Sequence, residues 1–284
     1  MPKSFFQKIL LAVDGSETSL QAEELSVMFA KKFQSKVTAV HAVPEQLLDL
    51  GAKTPTDIPK AVLSEVSEWF VTKGEDVLKN TQALFQEEGV KIEARLAHGD
   101  PAENIITLAA KEKFDLIIAG TRGETEAELY SLGSTAEKIS RHAECSVLVV
   151  KEKSSISKIL VGFDGSEKAQ IGLKHAVHLA QKLDAEITVV NVQERRLFEP
   201  KPAIAQKLGK RILLQAAAEL KGVDARQRLE FGNPAEGIIE LANKENFDLI
   251  VVGSRGLSRA KRFLLGSVSD DVAHHSRCSV LIAR

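Results

Sequence analysis

Apolar residues fall in two registers along the chain. Short runs rich in β-branched residues, KILLAVD at 8–14, DLIIAG at 115–120 and SVLVVK at 146–151, show no polar alternation, which predicts strands covered on both faces. Longer segments of helical period lie between them. The alternation predicts βαβ units on a parallel sheet, an α/β fold. In the N-terminal half, strands are expected near 8–14, 36–43, 91–98, 115–120 and 146–151, with four helices between them. Pro101 and Pro234 stand where a helix opens, in G-[DN]-P-A-E. Asp100 or Asn233 is the expected cap there, with proline at the first helical position.

The pattern is written twice. KILLAVDGSE (8–17) matches KILVGFDGSE (158–167) and VTAVHAV (37–43) matches ITVVNVQ (187–193), both at an offset of 150. GDPAENII (99–106) matches GNPAEGII (232–239), FDLIIAG matches FDLIVVG, and CSVLVV matches CSVLIA, all at an offset of 133. The first copy therefore carries 17 extra residues between its second and third strands, and KEKSSIS (151–157) is the join. A chain of 284 residues accommodates two cores, so domains are expected at 1–152 and 157–284. Each is expected to be a doubly wound open sheet of five parallel strands in the order 3-2-1-4-5. Such a sheet takes its ligand at the carboxyl ends of the strands, where the order reverses, here between strands one and four.

The ends of those two strands hold the informative residues. Asp14 and Asp164 end the first strands, and GTRGETEAELYSLGS (120–134) and GSRGLSRAKRFLLGS (253–267) follow the fourth. Gly253 and Gly256 are expected to let the backbone turn sharply and approach a ligand. Gly266 and Ser267 open the next helix, whose free N–H groups and dipole favour phosphate. Arg255, Arg259, Lys261 and Arg262 add local positive charge, or else form a solvated face. Asp164 suits a ribose hydroxyl, although DGSE also reads as turn and helix-cap chemistry. The first copy has Glu124, Glu126 and Glu128 and no basic residue between its second and third glycines, so weaker phosphate binding is expected there. Those glutamates either hold a divalent ion or face water.

On these motifs, G-x2-G-x9-G-[ST] in both halves, the chain resembles a tandem universal stress protein of the ATP-binding branch. The resemblance implies a Rossmann-like fold of the adenine nucleotide alpha hydrolase type. It also implies ATP or another adenine nucleotide as ligand, with Mg2+ held through the phosphates rather than by protein side chains. In the second copy it places Asp164 at the ribose, the backbone of Val192 at adenine, and Gly253, Arg255, Gly256, Gly266, Ser267 and Val268 along the ribose and phosphates. Gly162, Phe163, Val252 and Ser269 complete that nucleotide site. Ala12, Val13, Asp14, Ala42, Gly120, Arg122, Gly123, Gly133, Ser134 and Thr135 occupy the matching places in the first copy. Domains of this family commonly pair through their last strands, which implies a pseudo-dimer within one chain and leaves a homodimer of chains open.

Composition narrows the partners. With 38 Lys and Arg against 39 Asp and Glu there is no basic excess to hold nucleic acid or an anionic membrane, so a nucleotide and partner proteins are expected. Cys145 and Cys278 each stand alone, without CxxC or a spaced histidine, and are expected to be small buried hydrophobes. The apolar run before Asp14 is too short for a signal peptide and no segment has the length of a membrane span, which points to the cytoplasm. No P-loop, G-x-S-x-G or H-E-x-x-H occurs. His274 and His275 fall late in the last helix. His41 and His98 fall at strand ends near the crevice, without a histidine at the matching place in the second copy. The expected function is a nucleotide-dependent regulator or sensor in stress response. The alternatives are a slow Mg-dependent ATPase and an interaction scaffold that binds no nucleotide.

Overall fold

The computed structural model describes residues 5–43, 60–121, 132–151, 155–194, 201–256 and 265–284. The first copy runs β1 (Lys8–Ala12), α1 (Glu17–Phe33), β2 (Lys36–Val43), α2 (Lys60–Glu87), β3 (Ile92–His98), α3 (Pro101–Lys111), β4 (Leu116–Gly120), α4 (Ser134–His142) and β5 (Ser146–Val150). The second runs β6 (Lys158–Gly162), α5 (Glu167–Leu183), β7 (Glu186–Gln193), α6 (Pro202–Ala216), β8 (Ala225–Phe231), α7 (Pro234–Lys244), β9 (Leu249–Gly253), α8 (Ser267–His275) and β10 (Ser279–Ala283).

All ten strands join in one sheet, β3-β2-β1-β4-β5-β10-β9-β6-β7-β8. Each half has the expected order 3-2-1-4-5, parallel throughout, and the halves meet where β5 and β10 pair antiparallel. Leu148 lies opposite Leu281, the same position of the repeat, so a pseudo-twofold axis passes through that pair. The two tandem domains thus form a pseudo-dimer within the chain. Each β5 and β10 residue is buried, because both sheet faces are covered. One apolar layer is supplied by α1, α2, α5 and α6 and the other by α3, α4, α7 and α8.

Local chemistry explains the element boundaries. Asp100 accepts from the Glu103 N–H at 3.0 Å to cap α3, and Asn233 accepts from Ala235 N–H at 2.9 Å to cap α7, each with proline following. The repeated Phe-Asp-Leu has a structural role. Asp115 accepts from the N–H groups of Gln7 and Lys8 at 2.9 and 3.1 Å, and Asp248 from those of Ser157 and Lys158 at 2.9 and 3.0 Å. Each aspartate ties the start of the fourth strand to the start of the first.

The junction repeats its bonds about the axis. Lys151 N–H donates to Ser279 Oγ at 3.1 Å and Arg284 N–H to Ser146 Oγ at 3.2 Å. Arg141 forks onto Asp270 at 3.2 and 2.9 Å, while His274, at the position of Arg141, faces Glu137 at 3.9 Å. Phe5 and Phe6 lie against His175 of α5, with ring centroids 4.7 and 4.9 Å apart. The 17 extra residues of the first copy fall at 44–59, outside the described residues, and in α2, which has 28 residues against 15 in α6. Cys145 is half-buried and its thiol is pushed up to about 11 by that burial, which removes thiolate reactivity near neutral pH. Among the described residues no helix is long and apolar enough to cross a membrane.

Candidate nucleotide crevices

Each crevice begins at the D-G-S turn after the first strand. Gly15 and Gly165 have φ of 82° and 83°, the left-handed region that glycine enters without strain, and they reverse the chain toward the helix. Asp14 Oδ1 accepts from Ser16 N–H at 3.0 Å and Asp164 Oδ1 from Ser166 N–H at 2.9 Å. The helix cap is the serine: Ser16 Oγ accepts from Ser19 N–H at 3.3 Å and Ser166 Oγ from Ala169 N–H at 3.2 Å. The aspartate therefore spends one oxygen on the turn. Its other oxygen, Oδ2 of Asp164, lies against Gly256, where an added Cβ would come within 2.6 Å of it.

The glycines after the fourth strand serve clearance rather than turning. Neither Gly253 nor Gly256 has positive φ, so the bend at Ser254 that follows the strand is made without the left-handed conformation at either glycine. A Cβ on Gly253 would lie 2.6 Å from Ala169 N and 2.7 Å from Lys168 C, and one on Gly120 would lie 2.8 Å from Thr18 C and 2.9 Å from Ser19 N. These two glycines let the fourth strand pass under the first turn of α1 or α5. Both Gly253 and Gly256 line the crevice, but only at Gly256 would a Cβ meet the Asp164 carboxylate.

The loop is closed at its base. Gly133 N–H donates to Thr121 O at 2.7 Å and Gly266 N–H to Ser254 O at 2.9 Å. Gly133 and Gly266 are the N-caps of α4 and α8, and neither cap makes a side-chain hydrogen bond, so both helices begin at the crevice without a capping side chain. All twelve residues expected in the second copy line one cavity of about 270 Å³. Eight of the ten expected in the first copy line a cavity of about 330 Å³. The remaining two, Arg122 and Gly123, lie outside the described residues, as do Glu124, Glu126, Glu128, Arg259, Lys261 and Arg262.

Of the two histidines expected near the first crevice His41 lines it, and several further lining residues carry no motif. His41 Nδ1 donates to Val13 O at 2.8 Å, and Asn191 Nδ2 donates to Phe163 O at 2.7 Å from the matching position. Two different side chains thus fix the same strand-end carbonyl. Phe70 and Lys73 of α2 line only the first crevice, and Pro101, Ile105, Pro234 and Ile238 floor the two. Beneath the first crevice alone, Asp14 N–H donates to Ser19 Oγ at 3.2 Å, and Ser19 Oγ to Glu23 Oε1 at 3.3 Å. Glu23 is buried, and desolvation raises its carboxyl above the usual range. Leu173 takes its place in the second copy.

Two like crevices on one sheet, each with an aspartate at its first strand and an uncapped helix led by glycine, define a tandem doubly wound α/β protein. The model of the universal stress protein family matches residues 5–151 and again 155–284, and the chain belongs to that family. It is similar to the universal stress protein MJ0531 of Methanocaldococcus jannaschii, 35% identical over 151 residues, which covers 53% of this chain and 85% of that protein. The universal stress protein YxiE of Bacillus subtilis is 31% identical over 147 residues, covering 51% of this chain and 99% of that one. A solved universal stress protein from Archaeoglobus fulgidus shares the whole two-domain fold, with a TM-score of 0.74 over 98% of both chains at 22% identity.

Proposed function

We propose that each crevice is an adenine-nucleotide site and that the chain acts as a nucleotide-dependent regulator in stress response. The observation that carries this is the second crevice, where the start of α8, which has no side-chain cap, lines one cavity together with Arg255 and Asp164. Amides and guanidinium suit phosphates, with Mg2+ arriving on them, and the carboxylate suits a ribose hydroxyl. The backbone at Val192, on the end of β7, is left for the base. Asp164 and Arg255 are the titratable groups that line this crevice among the described residues. One is engaged in the turn and the ribose, the other is a cation, and neither is placed to draw a proton from water. The bound nucleotide is thus a signal held in its ground state.

Calorimetry on the full chain with Mg-ATP tests the assignment. Two events are expected, the tighter in the second crevice. Asp164→Ala is expected to weaken the tighter one about 10- to 100-fold, the worth of hydrogen bonds to a charged group, and Asp14→Ala the weaker one. An intact tight event in Asp164→Ala overturns the placement, and no saturable nucleotide binding at all favours the scaffold alternative. Phosphate release near the median enzyme turnover of about 10 per second would establish an ATPase instead.

A further inference from the structure

The helix between the second and third strands is placed alike in both copies, yet only the first sends side chains into its crevice. The placement is set by a glycine. A Cβ on Gly74 of α2 would lie 2.7 Å from the His41 ring and 2.8 Å from Leu96 Cδ1. Gly209 of α6 is pressed between Asn191 and Leu229, the residues at the same two places of the repeat. With the glycines matched, Phe70 stands where α6 has Ala205, and Lys73 where it has Leu208. Phe70 lies one helical turn before Gly74, on the face that meets His41 and the end of β2. On the nucleotide reading the end of β2 is the base end of the crevice, and the start of α4, where phosphates would sit, lines the same cavity. Phe70 and Lys73 both line this cavity, the larger of the two, whereas no residue of α6 lines the second.

We propose that Phe70 is the base-stacking wall of the first crevice, and that this crevice takes a nucleoside or its monophosphate, held at the base rather than at the phosphates. The inference rests on the nucleotide reading of the crevices and adds a division of labour between them. An aromatic ring half-buried at the rim presents a π-face to any base, an interaction worth about 5- to 100-fold in affinity. In the second copy α6 has Ala205 and Leu208 at these places and lines no part of the crevice, so the affinity there rests on the phosphate end. The first crevice also carries its own reporter. Trp69 is the one tryptophan of the chain; it is 58% exposed, its ring lies 4.8 Å from that of Phe70, and Lys73 Nζ sits 5.5 Å from its centroid.

The test uses the full chain bearing Asp164→Ala, titrated with adenosine, AMP and Mg-ATP while Trp69 fluorescence is followed, with equilibrium dialysis of the same ligands alongside. One saturable fluorescence change is expected, with the three affinities within about tenfold of one another. Phe70→Ala is expected to weaken all three about tenfold, Phe70→Tyr to restore them, and Phe70→Leu, which keeps bulk without a π-face, to behave like the alanine variant. Binding by dialysis that Phe70→Ala leaves unchanged, or that Phe70→Leu supports as well as Phe70→Tyr, overturns the stacking wall. ATP held more than about a hundredfold tighter than adenosine overturns binding at the base rather than at the phosphates. Dialysis that finds no ligand on the parent chain overturns the nucleotide reading itself, a separate failure.

Discussion

Gly256→Val is expected to lower ATP affinity in the second crevice about a hundredfold or more while the protein melts within a few degrees of the parent, and Gly253→Ala to do the reverse. The two glycines belong to one motif, but they face different neighbours. A Cβ on Gly256 meets the Asp164 carboxylate at 2.6 Å, the end of a flexible side chain that can swing away. The fold loses little by that movement, whereas the crevice loses the oxygen that the proposed nucleotide reading gives to the ribose, and part of its width. A Cβ on Gly253 meets the main chain of α5, Ala169 N at 2.6 Å and Lys168 C at 2.7 Å, and a capped helix cannot yield locally. Overpacking of that kind costs about 1–3 kcal/mol, or roughly 3–10 °C in the melting temperature of a domain this size. Calorimetry with Mg-ATP and thermal melts on both full-length variants decide the matter. Unchanged ATP binding by Gly256→Val, or an unchanged melt for Gly253→Ala, would contradict the roles assigned here.

The same pair shows what the sequence carries and what it hides. Tandem duplication and the strand order in each half are legible because they rest on period, spacing and strand ends, whereas the joining of the last strands and most of the twelve residues around the second crevice come from the family resemblance that the glycine motif carries. The reason for a glycine is not. A glycine needed for positive φ and one needed for clearance look the same in one dimension, and here the left-handed conformations are at Gly15 and Gly165 while the G-x2-G pair needs room. Equivalence between unlike residues is hidden for a similar reason. Comparing histidine with histidine sets His41 aside, yet Asn191 makes the same bond to the same strand-end carbonyl. Arg141 with Asp270 and His274 with Glu137 are likewise one contact in two chemistries. Phe70 and Lys73 carry no motif at all, and the unequal lengths of α2 and α6 blur the alignment that would set them beside Ala205 and Leu208.

Stability is expected to fall by roughly 3 kcal/mol as the pH drops from about 6.5 to about 4, from one residue at the junction of the two copies, His175. Its side chain sits on α5 at the place where α1 has Leu25, and Phe5 and Phe6 cover it from the N-terminal segment. Only 6% of the residue is exposed, and its Nδ1 is buried with no hydrogen-bond partner among the described residues. Burial, with a smaller contribution from the neighbouring His178, drives the imidazole from 6.5 down to about 4. Above pH 6.5 the ring is neutral in both folded and unfolded chains and has no pH-dependent effect. Between the two values the unfolded chain takes up a proton that the folded one refuses, so stability declines as the pH falls, at about 1.4 kcal/mol per pH unit, and the loss is complete below about pH 4. His178 is shifted in the same direction, while buried Glu23 and half-buried Asp115, whose carboxyls are raised, oppose it. The difference between the parent and His175→Leu, the residue of the first copy, isolates the one group. Urea unfolding at pH 7.5, 6, 5 and 4.5 is expected to give a flatter profile for the leucine variant, with the gap between the two proteins widening toward acid. Parallel profiles would mean that His175 reaches solvent or an acceptor on protonation, and that the junction is not sealed by Phe5 and Phe6.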